Sequence, residues 1–90
     1  MAGTQLREAA REFREGSALA RAQAEALRRQ HLPWWRGAAA EEYTGRIRAR
    51  VRALEELADC FEEVAGLFES VALLVDREVA TPGLDVPRGP

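Results

Sequence analysis

Apolar and small side chains recur at alternating intervals of four and three residues along two long stretches of this chain. The first series is Leu6, Ala10, Phe13, Ser17, Ala20, Ala24, Leu27 and His31; the second is Ile47, Val51, Leu54, Ala58, Phe61, Ala65, Phe68, Ala72, Val75 and Val79. Heptad spacing of this kind places all members of a series on one face of an α-helix. The pattern therefore predicts two long helices, each with a seam that packs against another helix.

The helical pattern is interrupted between the two series, at residues 32–37. Pro33 disfavours helical dihedral angles at Leu32, and Gly37 can adopt angles that a side chain would forbid. We therefore predict one all-α domain, residues 1–80, folded as an antiparallel two-helix hairpin. Its helices are expected at about 5–31 and 38–79, with the turn at 32–37. Residues 81–90 contain five Pro or Gly, which predicts a disordered tail.

The unequal lengths of the helices suggest that a single hairpin is incomplete. If they pair from the turn, Leu6 lies opposite the mid-60s and the end of the second helix overhangs. Leaving about five large apolar side chains of the overhang in water would forgo roughly 7–15 kcal/mol. We therefore expect a second hairpin that completes a four-helix bundle. The expected partner interface comprises Leu6, Phe13, Leu27, Leu54, Leu57, Phe61, Val64, Phe68, Val71 and Val75.

The second helix also carries apolar residues beside its seam. Leu57, Val64 and Val71 are assigned to one side of the seam, and Cys60, Leu67 and Leu74 to the other. Half of the helix circumference is then apolar, whereas contact with a single partner needs only a narrow stripe.

Charge is distributed unevenly along the chain. Residues 28–52 contain seven Arg and two Glu, a net charge of +5, whereas residues 55–78 contain eight acidic residues and one Arg, a net charge of −7. Two antiparallel hairpins would place each basic tip beside the acidic arm of the other, which would steer their orientation. The partner could be a second copy or a different hairpin. The acidic residues Glu55, Asp59, Glu62 and Glu69 are interpreted as a solvated face.

Residues that could carry catalysis are few. With one histidine and one cysteine, the chain offers no Ser-His-Asp set and no multi-cysteine zinc site. We expect no enzyme activity, no cofactor and no bound metal. The net charge of −2 argues against nucleic-acid binding, although Arg46, Arg48, Arg50 and Arg52 leave a basic-tip nucleic-acid binder as a minor hypothesis. The longest apolar run, 71–75, is too short for membrane insertion, and the N-terminus lacks the pattern of a secretory signal peptide.

Residues 35–43 read Trp-Arg-Gly-Ala-Ala-Ala-Glu-Glu-Tyr. In a short two-helix chain this segment resembles the WXG family of small helical-hairpin proteins, the ESAT-like substrates of type VII secretion. The family pattern Trp-x-Gly-x-Ala-Ala-x-x-aromatic is matched at Trp35, Gly37, Ala39, Ala40 and Tyr43. The resemblance implies a dimeric four-helix bundle that leaves the bacterial cytoplasm without a signal peptide. It also implies that Trp35 and Gly37 form an export motif, displayed to a secretion ATPase.

The chain departs from the family pattern at its C-terminal export element, Tyr-x-x-x-Asp/Glu. No tyrosine follows Tyr43, and only a looser apolar–acidic–apolar pattern is kept at Ala72, Asp76 and Val79. Two functional hypotheses follow. The favoured one is a type VII substrate or co-secreted partner. The alternative is a non-exported adaptor or chaperone that docks a larger effector or toxin through residues 68–79.

Overall fold

The computed structural model describes residues 3–30 and 34–80. Helix α1 spans Gly3–Arg28 and helix α2 spans Ala38–Ala80. They pack side by side in opposite directions, so the predicted all-α helical hairpin is confirmed. Helix α1 ends where the amide of Gln30 donates to the carbonyl of Leu27, at 3.0 Å; this tightened last turn is a common way to end a helix. His31 and the predicted tail 81–90 lie outside the described residues.

The predicted seams form the core between the helices. The most completely buried seam residues are small: Ala10, Ser17, Ala24, Ala58, Ala65 and Ala72. Small residues let the two backbones approach closely, and larger side chains then fill the edges of the contact. The Phe13 ring lies between Phe61 and Phe68, with centroids 5.6 and 5.7 Å away. The heptad pattern thus identified the packing faces of both helices.

The register of the two helices differs from the prediction. Arg7 forms a salt bridge with Asp76, so the start of α1 lies beside the end of α2, and Leu6 does not lie opposite the mid-60s. The predicted apolar overhang at residues 68–79 is therefore wrong. Phe68 stacks on Phe13, and Ala72 is buried.

The unpaired part of α2 lies instead at its start. Gly3 lies beside Asp76 and Ser17 beside Glu62, a register that places Arg28, the last residue of α1, opposite about residue 51. Residues 38–50 therefore extend about 20 Å beyond α1. The prediction failed because it assumed that helix pairing begins directly at the turn.

A ladder of ion pairs explains the observed register. Arginines recur every seven residues on α1, and acidic residues recur every seven residues on α2. The salt bridges are Arg7–Asp76, Arg14–Glu62, Arg14–Glu69, Arg21–Asp59 and Arg28–Glu55. All four arginines occupy heptad position e, and Asp76, Glu69, Glu62 and Glu55 occupy position e of α2. Positions e face each other when two helices run antiparallel, so this pattern favours one direction and one register.

The ladder corrects the interpretation of Glu55, Asp59, Glu62 and Glu69 as a merely solvated face. Their side chains remain partly exposed, but each is paired with an arginine of α1. Arg14 forms a fork with Glu69, in which Nε donates to Oε2 at 3.2 Å and Nη2 donates to Oε1. These hydrogen bonds hold the pKa of Glu69 below its ordinary value. Glu55 likewise raises the pKa of Arg28.

Candidate functional site

The residues that match the family pattern lie around the start of α2. Gly37 has a φ of +107°, a conformation that side-chain-bearing residues rarely adopt. Its carbonyl accepts the amide of Glu41 at 3.0 Å, which is the first hydrogen bond of the helix. A Cβ at this position would meet no atom within 4 Å. Glycine is therefore required here by the backbone angle and not by crowding.

The aromatic residues of the pattern contact each other. The rings of Trp35 and Tyr43 are 5.4 Å apart and inclined by 52°. The Tyr43 hydroxyl donates to Oε1 of Gln30 at 3.3 Å, which ties the start of α2 to the segment that follows α1. Trp35 is 36% exposed, whereas Trp34 is 76% exposed. Ala40 is buried and Ala39 is exposed, so Trp35, Ala40 and Tyr43 lie on the packed side of this region.

An open cleft, which we call the tip cleft, lies beside the Trp35–Tyr43 pair. Its volume is about 810 Å³. Aliphatic side chains of both helices line it, namely Leu27, Ile47 and Val51. Four arginines also line it: Arg28, Arg36, Arg48 and Arg52. The tip cleft is thus a basic site with an apolar lining.

The tip cleft was not foreseen from the sequence. Arg46, Arg48, Arg50 and Arg52 were considered together as a basic patch, but only Arg48 and Arg52 of these four line the cleft. Arg46 pairs instead with Glu42, and Arg50 is exposed without lining the cleft. The i, i+4 spacing of Arg48 and Arg52 was the available signal. This spacing indicates a shared basic site only once the position of Arg36 is known, and the sequence does not specify that position.

A second candidate site is an exposed apolar face on α2. Leu57, Leu67, Val71 and Leu74 are 43%, 66%, 44% and 57% exposed, and Val64 is half-buried. With the exposed thiol of Cys60 they recur at alternating steps of three and four. We call this set, Leu57, Cys60, Val64, Leu67, Val71 and Leu74, the apolar face.

The apolar face is a single stripe, so the prediction that these residues lie on two sides of the seam is wrong. Each of these six positions directly precedes a seam residue, so at about 100° per residue the apolar face lies about 100° around α2 from the seam. They lie on the side opposite the ion-pair ladder. Helix α2 therefore has two heptad stripes. One is used by α1, and the other is uncovered in the hairpin.

The structure divides the residues predicted to form a partner interface into two groups. Leu57, Val64 and Val71 belong to the apolar face. The others pack at the contact between α1 and α2 of the same chain: Leu6, Phe13, Leu27, Leu54, Phe61, Phe68 and Val75. The sequence cannot separate these groups, because contact with a second helix of the same chain and contact with a partner require the same spacing.

The weak C-terminal export pattern coincides with hairpin contacts. Ala72 is buried in the seam, and Asp76 pairs with Arg7. The side chain of Val79 lies outside the described part of the chain. Ala72 and Asp76 therefore have a role within the hairpin.

In the ranges 3–30 and 34–80, no group of three or more His, Cys, Asp or Glu residues is arranged to hold a metal ion. Neither helix has a stretch that is apolar and long enough to cross a membrane within those ranges. Comparisons with protein-family models, curated proteins and solved structures found no match to this chain. The resemblance to the WXG family therefore rests on the residue pattern at 35–43 alone.

Proposed function

We propose that this chain is an ESAT-like WXG protein, a non-catalytic type VII substrate or co-secreted partner that acts by packing against a second hairpin. The observation that carries this proposal is the apolar face on α2. A hairpin that served only as a folded unit would need one seam. A second stripe with heptad spacing is what a helix needs to contact another helix.

The side of the hairpin on which a partner packs follows from the ladder. On that flank of the seam, charged side chains from both helices pair with each other and remain hydrated. On the other flank, four large aliphatic side chains of α2 and Leu19 of α1 are exposed. Burial of such side chains contributes about 1.5–3 kcal/mol each. A second hairpin that covers this flank completes a four-helix bundle.

Two features at the start of α2 support the export part of the proposal. Trp35 packs on Tyr43, and Gly37 occupies a conformation suited to glycine. Both features give a physical reason for the residue types of the Trp-x-Gly pattern. In this proposal they shape the hairpin tip that a secretion ATPase contacts, while the apolar face holds the homodimeric or heterodimeric partner.

Export of an epitope-tagged chain from a bacterium with a type VII system tests this proposal. We expect wild-type protein in the culture medium, and none from a strain whose secretion ATPase is inactive. Trp35→Ala should remain in the cells with unchanged helicity by circular dichroism. Trp34→Ala is the matched control, because it removes the neighbouring, more exposed indole, and it should be exported normally.

One observation favours the alternative of a non-exported adaptor. Asp76, the acidic member of the weak export pattern, is engaged by Arg7. Such an adaptor would bind its effector through the apolar face, because Phe68 and Ala72 of the originally expected surface pack inside the hairpin. Folded wild-type protein retained in cells with an active type VII system would select this alternative and reject export.

A further inference from the structure

We propose that the tip cleft binds a short acidic peptide segment that carries an aliphatic side chain. This inference goes beyond the proposed function and does not rest on it, since it depends only on the geometry of residues 27–30 and 35–55. It assigns a ligand class to a site defined by its arginines, not by the Trp-x-Gly pattern.

The positive charge of the tip cleft is only partly compensated. Arg28 is neutralised by Glu55, and both line the cleft. Within the described residues, Arg36, Arg48 and Arg52 have no acidic partner, whereas all four arginines of the ladder do. Three guanidinium groups around one concave site favour carboxylates, which they can bind through paired hydrogen bonds.

The lining of the cleft requires an apolar group beside the charges. Leu27, Ile47 and Val51 line it, and Leu27 and Ile47 are half-buried, so that part of their apolar surface is open to a ligand. The volume of about 810 Å³ lies within the range typical of small-ligand pockets. A carboxylate alone would leave this aliphatic lining wet, whereas a segment with an acidic and an aliphatic residue uses both parts of the cleft.

The aromatic pair argues against a nucleic-acid ligand. Base recognition by stacking needs an open ring face along a basic groove. The Trp35 and Tyr43 rings are 5.4 Å apart and inclined by 52°, so they contact each other and leave no parallel slot between them. Residues 55–78, with a net charge of −7, would also repel a long polyanion that continued along the hairpin. A short acidic ligand avoids this repulsion.

The test uses the full chain and a fluorescein-labelled, amidated peptide with the repeated sequence Asp-Leu-Glu. Matched peptides with Asn-Leu-Gln and Asp-Ser-Glu repeats remove the charge or the aliphatic group, and an oligothymidylate is the nucleic-acid comparison. Fluorescence anisotropy gives affinities. The indole N–H resonances of the two tryptophans, assigned with Trp34→Phe, report the location. We expect the Asp-Leu-Glu peptide to bind most tightly and to shift Trp35 more than Trp34.

Arginine variants make the test specific. The double variant R48Q/R52Q should weaken peptide binding by about tenfold or more, because it removes two charge-assisted contacts. R50Q removes a charge from the same stretch of α2 but outside the cleft, and it should change the affinity by less than about twofold. Circular dichroism should show the same helicity for all variants.

Several outcomes would overturn the proposal. Equal losses for R50Q and R48Q/R52Q would mean nonspecific attraction to a basic helix. Equal affinity for the Asn-Leu-Gln or the Asp-Ser-Glu peptide would reject the combined acidic and aliphatic ligand. Tighter binding of the oligothymidylate would assign the tip to nucleic acid. Failure of export would leave this result unaffected, so the two proposals are tested separately.

Discussion

Close contact between the helices depends on individual positions where a side chain is small or absent. Gly16 of α1 is one of them. A Cβ at this position would lie 2.9 Å from two ring atoms of Phe61, so the ring rests against the backbone of α1. Gly66 of α2 differs, because a Cβ there would meet no atom within 4 Å. Of these two glycines, only Gly16 is held by packing.

The pair Gly16→Ala and Gly66→Ala separates helix propensity from packing. Gly66→Ala should stabilise the hairpin by about 0.5–1 kcal/mol, the usual gain of alanine over glycine inside a helix. The free energy of unfolding of Gly16→Ala should be about 1–3 kcal/mol lower than that of Gly66→Ala, because the new methyl group displaces Phe61 from its contact with Phe13. Urea unfolding followed by circular dichroism measures both changes. Equal stabilisation by the two substitutions would show that Phe61 moves aside without cost.

At the scale of the helices, the sequence predicted which faces pack together but not their register, that is, which residues of α1 lie opposite which residues of α2. The seams follow from the spacing of residues such as Leu6, Ala10 and Phe13, since any partner helix requires that spacing. The register depends on which arginine of α1 meets which acid of α2. That information was present in the seven-residue spacing of Arg7, Arg14, Arg21 and Arg28, although each residue alone looks like an ordinary exposed charge.

The candidate sites were also predictable to different extents, because local features follow from the sequence pattern whereas contacts between distant segments do not. Glycine at position 37 was expected from its place between the helices, and its positive φ provides the physical cause. The tip cleft could not be predicted, because it depends on where Trp35 and Arg36 lie relative to α1 and α2. The apolar face was visible in the sequence as extra apolar positions. That these positions form one continuous stripe became clear only from their angular positions around α2.

The Arg14–Glu69 pair should make the stability of the hairpin depend on pH. The folded-state pKa of Glu69 is lowered by hydrogen bonds from Arg14, so the pair contributes stability above the ordinary glutamate pKa. This contribution is lost as pH falls through the lowered folded-state value, where Glu69 becomes protonated. Arg14→Gln should therefore lower Tm by a few degrees at neutral pH and have little effect in strong acid.

Thermal melts from neutral to strongly acidic pH, at one fixed protein concentration, measure this dependence. Arg11→Gln is the control, because Arg11 has no acidic partner among the described residues, and its Tm should match wild type throughout. A Tm difference between Arg14→Gln and wild type that persisted unchanged in strong acid would refute the electrostatic origin.

For the whole molecule, one seam between two helices gives a small core. Its most buried members are mainly alanines, which remove little apolar surface from water compared with larger side chains. The ladder adds direction and register, but exposed ion pairs contribute little stability. A chain of 90 residues with such a core gains substantially from further burial. The apolar face is the surface that offers it, and stability should then depend on protein concentration.

The oligomeric state tests this argument directly. By size-exclusion chromatography with light scattering, we expect the wild-type chain of 10.0 kDa to form a dimer of about 20 kDa whose Tm rises with concentration. Leu67→Glu places a charge in the middle of the apolar face and should yield monomers with a lower Tm. Leu73→Glu is the matched control, because Leu73 is similarly exposed, at 63% against 66%, but lies outside the face; this variant should remain dimeric. A wild-type monomer that melts cooperatively and independently of concentration would show that the hairpin needs no second copy. Equal disruption by both substitutions would show that the face has no special role.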